Sequence, residues 1–139
     1  MRNYKIYIDE NLPPSIAHGL NLFQKYLNDD NTNIQVLSIK EVFGQGAKDE
    51  DWIPVVGKEK GIVITQDNRI QTLKHQKELY KSSGVGIFFM SPPSKSGYLY
   101  WEMVKQLINR WENILHIVRH NKTPFSYRWK PKSGIEELI

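Results

Sequence analysis

Apolar residues along this chain fall into two rhythms: short dense runs, and longer stretches in which they recur every three or four positions. The runs are Tyr4 to Ile8 (YKIYI), Ile34 to Ile39 (IQVLSI), Gly61 to Thr65 (GIVIT) and Val85 to Met90 (VGIFFM). Rich in β-branched and aromatic residues and bounded by turn formers, they predict strands. The third run is nearly continuous, as a central parallel strand covered on both faces requires.

The spacing between the runs predicts helices. From Pro14 to about Leu27, the residues Ile16, Ala17, Leu20, Phe23, Tyr26 and Leu27 define one inward face, and Pro14 suits a helix's first turn. A flexible Phe43 to Lys48 loop leads to a short helix with Asp49 as its N-cap, Trp52, Ile53, Val55 and Val56 inward, and Gly57 or the Lys58 to Gly61 turn at its end. Arg69 to Lys81 reads as a basic helix with Ile70, Leu73 and Leu79 inward. The longest helix runs from about Tyr98 to Val118, striped by Leu99, Met103, Leu107, Trp111, Leu115 and Val118. Phe125 to Trp129 (FSYRW) suits an edge strand, and Lys130 to Ile139 a less ordered tail or docking segment.

Strand and helix thus alternate four times, which predicts an α/β sandwich around a parallel sheet with right-handed crossovers. Ligands of such folds bind beyond the carboxyl ends of the strands.

Composition narrows the chemistry. The 139 residues fit one domain and include no cysteine, which excludes disulfides, thiolate metal sites and cysteine nucleophiles. Asp9-Glu10 interrupts the only early apolar stretch, so no signal peptide or membrane span is expected; the expected setting is cytoplasmic, away from membranes. The net charge of +4 is unevenly placed: residues 1 to 90 carry 11 basic and 11 acidic side chains, residues 91 to 139 carry 8 and 4. A basic face beside an acidic pocket suits a polyanionic substrate.

The pocket is predicted by three acidic clusters where apolar runs stop or helices start: Asp9-Glu10, Asp49-Glu50-Asp51 and Asp67-Asn68. Singly, an Asp before a helix is an ordinary cap. Carboxylates gathered at one sheet edge raise one another's pKa, a cost that a hard divalent cation removes. That combination points to metal-assisted phosphodiester chemistry.

The stretches Lys5 to Pro13 (KIYIDENLP), Gly46 to Ile53 (GAKDEDWI) and Ile62 to Asn68 (IVITQDN) together resemble the PIN-like domains of VapC-type toxins. The resemblance continues through the Gly84 to Met90 strand, the Trp101 and Trp111 helix and the Phe125 to Leu138 segment, and so covers nearly all of the chain. It implies a three-layer α/β/α sandwich with a central, mostly parallel sheet over residues 1–130, followed by a tail over 131–139. It also implies a Mg2+- or Mn2+-dependent ribonuclease leaving 5′-phosphates, often the toxin of a toxin–antitoxin pair. By position, Asp9, Asp49 and Asp67 match the family's acidic metal-binding triad, Thr65 would brace the site, and Asn68 would add an oxygen. The further helix acid of the wider family has no counterpart between Pro13 and Leu27, which leaves Glu10, Glu41 or Asp51 to replace it.

Arg69 and Lys74 follow Asp67 and are placed to clamp flanking phosphates of an RNA substrate. Trp101 and Trp111 are expected to pack the long helix, whereas Trp129, between Arg128 and Lys130, suits contact with RNA or a partner. His116 and His120 have metal-pair spacing but lack an acidic third ligand at motif spacing. The apolar end of the tail, Ile135, Leu138 and Ile139, would be covered by an antitoxin segment, a second copy of the chain, or the fold itself. Two other readings remain. A receiver-like signalling domain would need a lysine ending its last parallel strand, where this chain has Met90-Ser91-Pro92; a non-catalytic PIN-like binding module differs from the nuclease only in activity.

Overall fold

The computed structural model describes residues 2–66 and 74–138, the side chains of 74–77 excepted. In chain order the elements are β1 (Arg2–Ile8), α1 (Pro14–Lys25), β2 (Thr32–Ser38), α2 (Ile39–Phe43), α3 (Asp49–Lys58) and β3 (Ile62–Thr65). There follow α4 (Lys74–Ser83), β4 (Gly86–Met90), α5 (Tyr100–His120), β5 (Phe125–Trp129) and β6 (Glu136–Glu137). Among the described residues the strands form one six-stranded sheet in the order β2-β1-β3-β4-β5-β6, parallel except for β6. The order reverses direction beside β1: the chain runs outward to β2, then returns past β1 to β3. Such a reversal opens a crevice at the carboxyl ends of β1 and β3.

Alternation along each strand builds two apolar layers. Ile6, Ile8, Ile62, Ile64, Phe88 and Met90 face α1 and α5, where Ile16, Ala17, Leu20, Leu107, Ile114 and Leu115 complete the larger core. Tyr7, Val63, Ile87 and Phe89 face the other way, onto Trp52, Ile53 and Val56 of α3 and Tyr80 of α4. Central strands thus bury both faces, which is why their runs are unbroken in apolar character. The result is the α/β/α sandwich expected from the alternating pattern. None of the described helices is long and apolar enough to cross a membrane.

Several expectations need correction. Lys48, not Asp49, is the N-cap of α3, and its side chain makes no capping bond; Asp49 is the first helical residue. Ile39 leaves the second strand to begin α2, a one-turn helix capped by the Ser38 hydroxyl, which accepts from the Glu41 amide. Phe23, Tyr26 and Leu27 do not face inward but are 65%, 91% and 64% exposed, because the buried face of α1 is the narrower stripe of Ile16, Ala17 and Leu20. Val55 and Leu99 are likewise exposed. Of the predicted Arg69 to Lys81 helix, residues 69–73 lie outside the described residues.

The carboxyl end of the chain is more integrated than expected. β5 is an interior strand, since β6 pairs with it as Tyr127 with Glu137 and Arg128 with Glu136. The Leu138 amide donates to the Ser126 carbonyl at 2.8 Å, and Ile135 and Leu138 pack against opposite cores. Trp129 is fully buried; its indole N–H donates to Gln106 at 3.2 Å and the Arg110 guanidinium lies over its ring, which removes it as an RNA contact. Trp111 is buried as expected, its indole N–H donated to Gln24, but Trp101 is 70% exposed.

Candidate active site

The site is built where β1 and β3 end side by side. Ile8 pairs with Ile64, so the next residues, Asp9 and Thr65, are neighbours at the carboxyl edge although 56 positions apart. The Asp9 amide still donates to the Ile64 carbonyl at 3.0 Å, which holds its backbone in register with the sheet. Its side chain turns into the fold and is only 7% exposed.

Asp9 is fixed by two donors. The Thr65 hydroxyl donates to Oδ2 at 2.8 Å and the Glu10 amide to Oδ1 at 2.8 Å. Thr65 therefore occupies the bracing position that the resemblance implies. Each carboxylate oxygen has a second lone pair beyond the bond described. Burial pushes the Asp9 carboxyl up from 3.8 to about 6, the Thr65 and Glu10 hydrogen bonds pull it back, and the negative charges of Asp49 and Glu10 push it up again.

Asp49 reaches this neighbourhood because the Gly44 to Lys48 loop returns α3's first turn to the same edge. Part of that loop is tied down by Glu10, whose Oε2 accepts from the Gly46 amide at 3.2 Å. Of the three acids that could replace the missing helix acid, Glu10 is the one whose charge, like that of Asp49, bears on Asp9. Glu41 points instead to His18, with which it shares an exposed side-chain hydrogen bond, and Asp51 is exposed on α3.

Asn11 and Gln66 form a second layer of support that their residue types alone did not reveal. Asn11 donates from Nδ2 to the Thr65 hydroxyl at 3.1 Å and accepts the Gln66 amide at Oδ1. Gln66 donates from Nε2 to the Asn11 carbonyl at 2.7 Å and accepts the Tyr98 amide at Oε1. This chain of bonds ties the loops after β1, β3 and β4 together. Gly97 makes the last tie possible: its φ is +83°, and a Cβ there would come within 3.2 Å of Gln66 Oε1. The available signal was positional, since both polar residues stand immediately beyond apolar strands on the two motif-bearing loops.

The remaining proposed residues are placed as follows. Asp67, Asn68 and Arg69 lie outside the described residues, and so does the side chain of Lys74, which opens α4. His116 and His120 stack on each other with ring centroids 4.2 Å apart, and His120 Nδ1 bonds the His116 carbonyl. Among the described residues no group of three or more His, Asp or Glu side chains could hold a metal ion. The donors that are described, Asp9 with the Asp49 and Glu10 charges beside it, are hard oxygens under mutual repulsion. They fit a hard divalent cation in kind.

A family model described as a PIN like domain matches residues 4–92, more than half of the chain. Comparison with curated proteins and with solved structures gave no match. The matched span begins in β1, runs through the Asp9, Asp49 and Asp67 positions, and ends just beyond β4.

Proposed function

Because the chain belongs to the PIN-like domain family, we propose that it is a Mg2+- or Mn2+-dependent endoribonuclease, the toxin of a type II toxin–antitoxin pair. Its fold is of the nuclease type. The observation that carries the reading is Asp9: a buried carboxylate at the crevice edge of the sheet, oriented by Thr65, with the charges of Asp49 and Glu10 bearing on it. A protein has little structural use for that arrangement without a cation or substrate to offset it.

In this reading Asp9, Asp49 and Asp67 supply the metal-binding carboxylates and Asn68 a further oxygen. A cation held there would neutralise these groups and supply the Lewis acidity that phosphodiester hydrolysis calls for. Thr65 holds the Asp9 carboxylate in one orientation, and Asn11 in turn holds Thr65. Arg69 and Lys74 bind phosphates flanking the scissile bond, and a protein antitoxin blocks the crevice until it is removed.

Incubation of the purified protein with a pool of RNAs in Mg2+ or Mn2+ tests this. Cleavage is expected from wild type, and its loss by at least about a hundredfold in Asp9→Asn, in Asp67→Asn and in EDTA. Cleavage that survives these changes sinks the assigned site. A wild type that binds RNA without cutting it supports the non-catalytic module instead.

A further inference from the structure

At the amino ends of β1 and β3, the edge opposite Asp9, lies a cleft of 520 Å³, a volume within the range of small-ligand sites. β1 is seven residues long, which sets this cleft roughly 20 Å from the crevice. Four cations from four segments border it: Arg2 on β1, Lys60 before β3, Arg119 near the end of α5 and Lys122 in the loop after it. Among the described residues none of the four forms a salt bridge. The one acid on the rim, Glu59, is already engaged: it accepts from the Tyr7 hydroxyl at 2.8 Å and pairs with Lys5 at 3.3 Å. The cleft therefore presents positive charge that the fold does not itself offset.

Lys60 sets the cleft apart from an ordinary solvated face. α3 ends in a pair of bonds, the Gly61 amide to the Val56 carbonyl and the Lys60 amide to the Gly57 carbonyl, both 2.9 Å, and between them Lys60 takes a left-handed φ of +56°. That position favours glycine, yet glycine comes one residue later. Nor does the negative end of α3 require this lysine, because Lys58 already stands in its last turn. Strain is thus accepted at the residue whose charge borders the cleft.

We infer that the cleft binds a nucleoside di- or triphosphate, its phosphates among the four cations and its base against Tyr4, Ile62 and Val118. Guanidinium and ammonium groups that converge from separate segments suit linked phosphates, which present oxygens on several sides. Ile62 and Val118 are buried and Tyr4 half-buried, so one wall offers an apolar surface and an aromatic ring to a flat base. A nucleic-acid strand fits less well. Arg119 also borders a neighbouring cleft with Asp29 and Glu112, where a continuing phosphate backbone meets like charge. The site is separate from the proposed nuclease centre and does not depend on it.

Calorimetric titration of ATP, GTP and inorganic tripolyphosphate into the full chain tests the inference, with metal first removed on a chelating resin so that no cation draws phosphates to the Asp9 crevice. ATP or GTP is expected to bind with a Kd of roughly 1 to 100 µM, at least about tenfold tighter than tripolyphosphate. Lys60→Gly and Lys122→Gln should each raise that Kd about tenfold, and the double variant about a hundredfold. Lys60→Gly also relieves the left-handed backbone, so its urea midpoint should equal or exceed that of wild type, and its lost affinity is then not lost folding. Asp9→Asn should bind the nucleotide as wild type does. Failure of wild type to bind either nucleotide, or an affinity unchanged in the double variant, overturns the inference. Loss of binding in folded Asp9→Asn overturns it too, because the phosphates then sit in the crevice. Equal affinity for tripolyphosphate overturns the nucleoside assignment, since the apolar wall then has no part in recognition.

Discussion

Burying Asp9 links its ionisation to folding. Its carboxyl rises from 3.8 to about 6, so the folded chain holds this proton more tightly than the unfolded one. The stability this contributes is fully present below 3.8 and is lost as the pH rises through about 6, a change of roughly 3 kcal/mol in total. In EDTA, urea titrations should therefore show wild type weakening between pH 4 and pH 6.5 or so. Asp9→Asn keeps the shape and removes the charge; it should flatten that slope and raise metal-free stability at pH 7.5 by about 2 kcal/mol. An unchanged slope in Asp9→Asn would mean that another group titrates in this window. The same reasoning gives Thr65 a role distinct from bulk: Thr65→Val removes the donor to Oδ2 and the acceptor of Asn11, whereas Thr65→Ser keeps both. Metal-dependent cleavage should fall about tenfold or more in the valine variant and be largely retained in the serine variant.

Helices in this fold meet their neighbours on very different terms, and two glycines expose the contrast. At Gly57, near the end of α3, a Cβ would sit 1.8 Å from the Ser83 carbonyl oxygen at the end of α4, so the two helices touch backbone to backbone. At Gly19, inside α1, a Cβ would meet nothing within 4 Å. Gly57→Ala should destabilise the protein by about 3 kcal/mol, whereas Gly19→Ala should stabilise it by roughly 0.5–1 kcal/mol, both read from urea midpoints. Element by element, the hydrophobic rhythm was a good guide wherever both faces of a strand are covered, because burial alone then sets residue type. It misled on α1 and at the start of α5. There Phe23, Tyr26, Leu27 and Leu99 extend the helical stripe but remain exposed, and periodicity cannot distinguish a residue that meets the core from one that meets a partner. Trp129 failed in the opposite direction, since flanking Arg128 and Lys130 suggest a wet strand while its alternate-face position buries it. At the site, Asp9 was legible because an acid ending an apolar strand is conspicuous. Asn11 and Gln66 were not, because their importance comes from pairing between loops more than 50 residues apart.

Across the whole molecule, the basic excess of the last third divides by task. Arg110 caps the carbonyls of Lys130, Pro131 and Ser133, and Arg128 pairs with Glu136 at 2.7 Å, so both serve the fold. Lys130 and Lys132 leave β5 at the same edge as Asp9, three strands away, or roughly 15 Å at ordinary strand spacing. That is within the reach of a bound single strand of a few nucleotides. Replacing both with Gln should weaken RNA binding regardless of sequence and reduce the slope of log K against log salt by about 1.4, measured with Asp9→Asn protein so that the RNA survives. A slope unchanged by the double substitution would place the RNA path elsewhere. The bonds from Asn11 through Gln66 to Tyr98 carry a consequence in time as well as space. A chain is made from its amino end, so a nascent protein that has extended past Gln66 but not yet reached Tyr98 has its acidic residues without their final tie. The order of synthesis therefore makes the finished crevice a late product of translation.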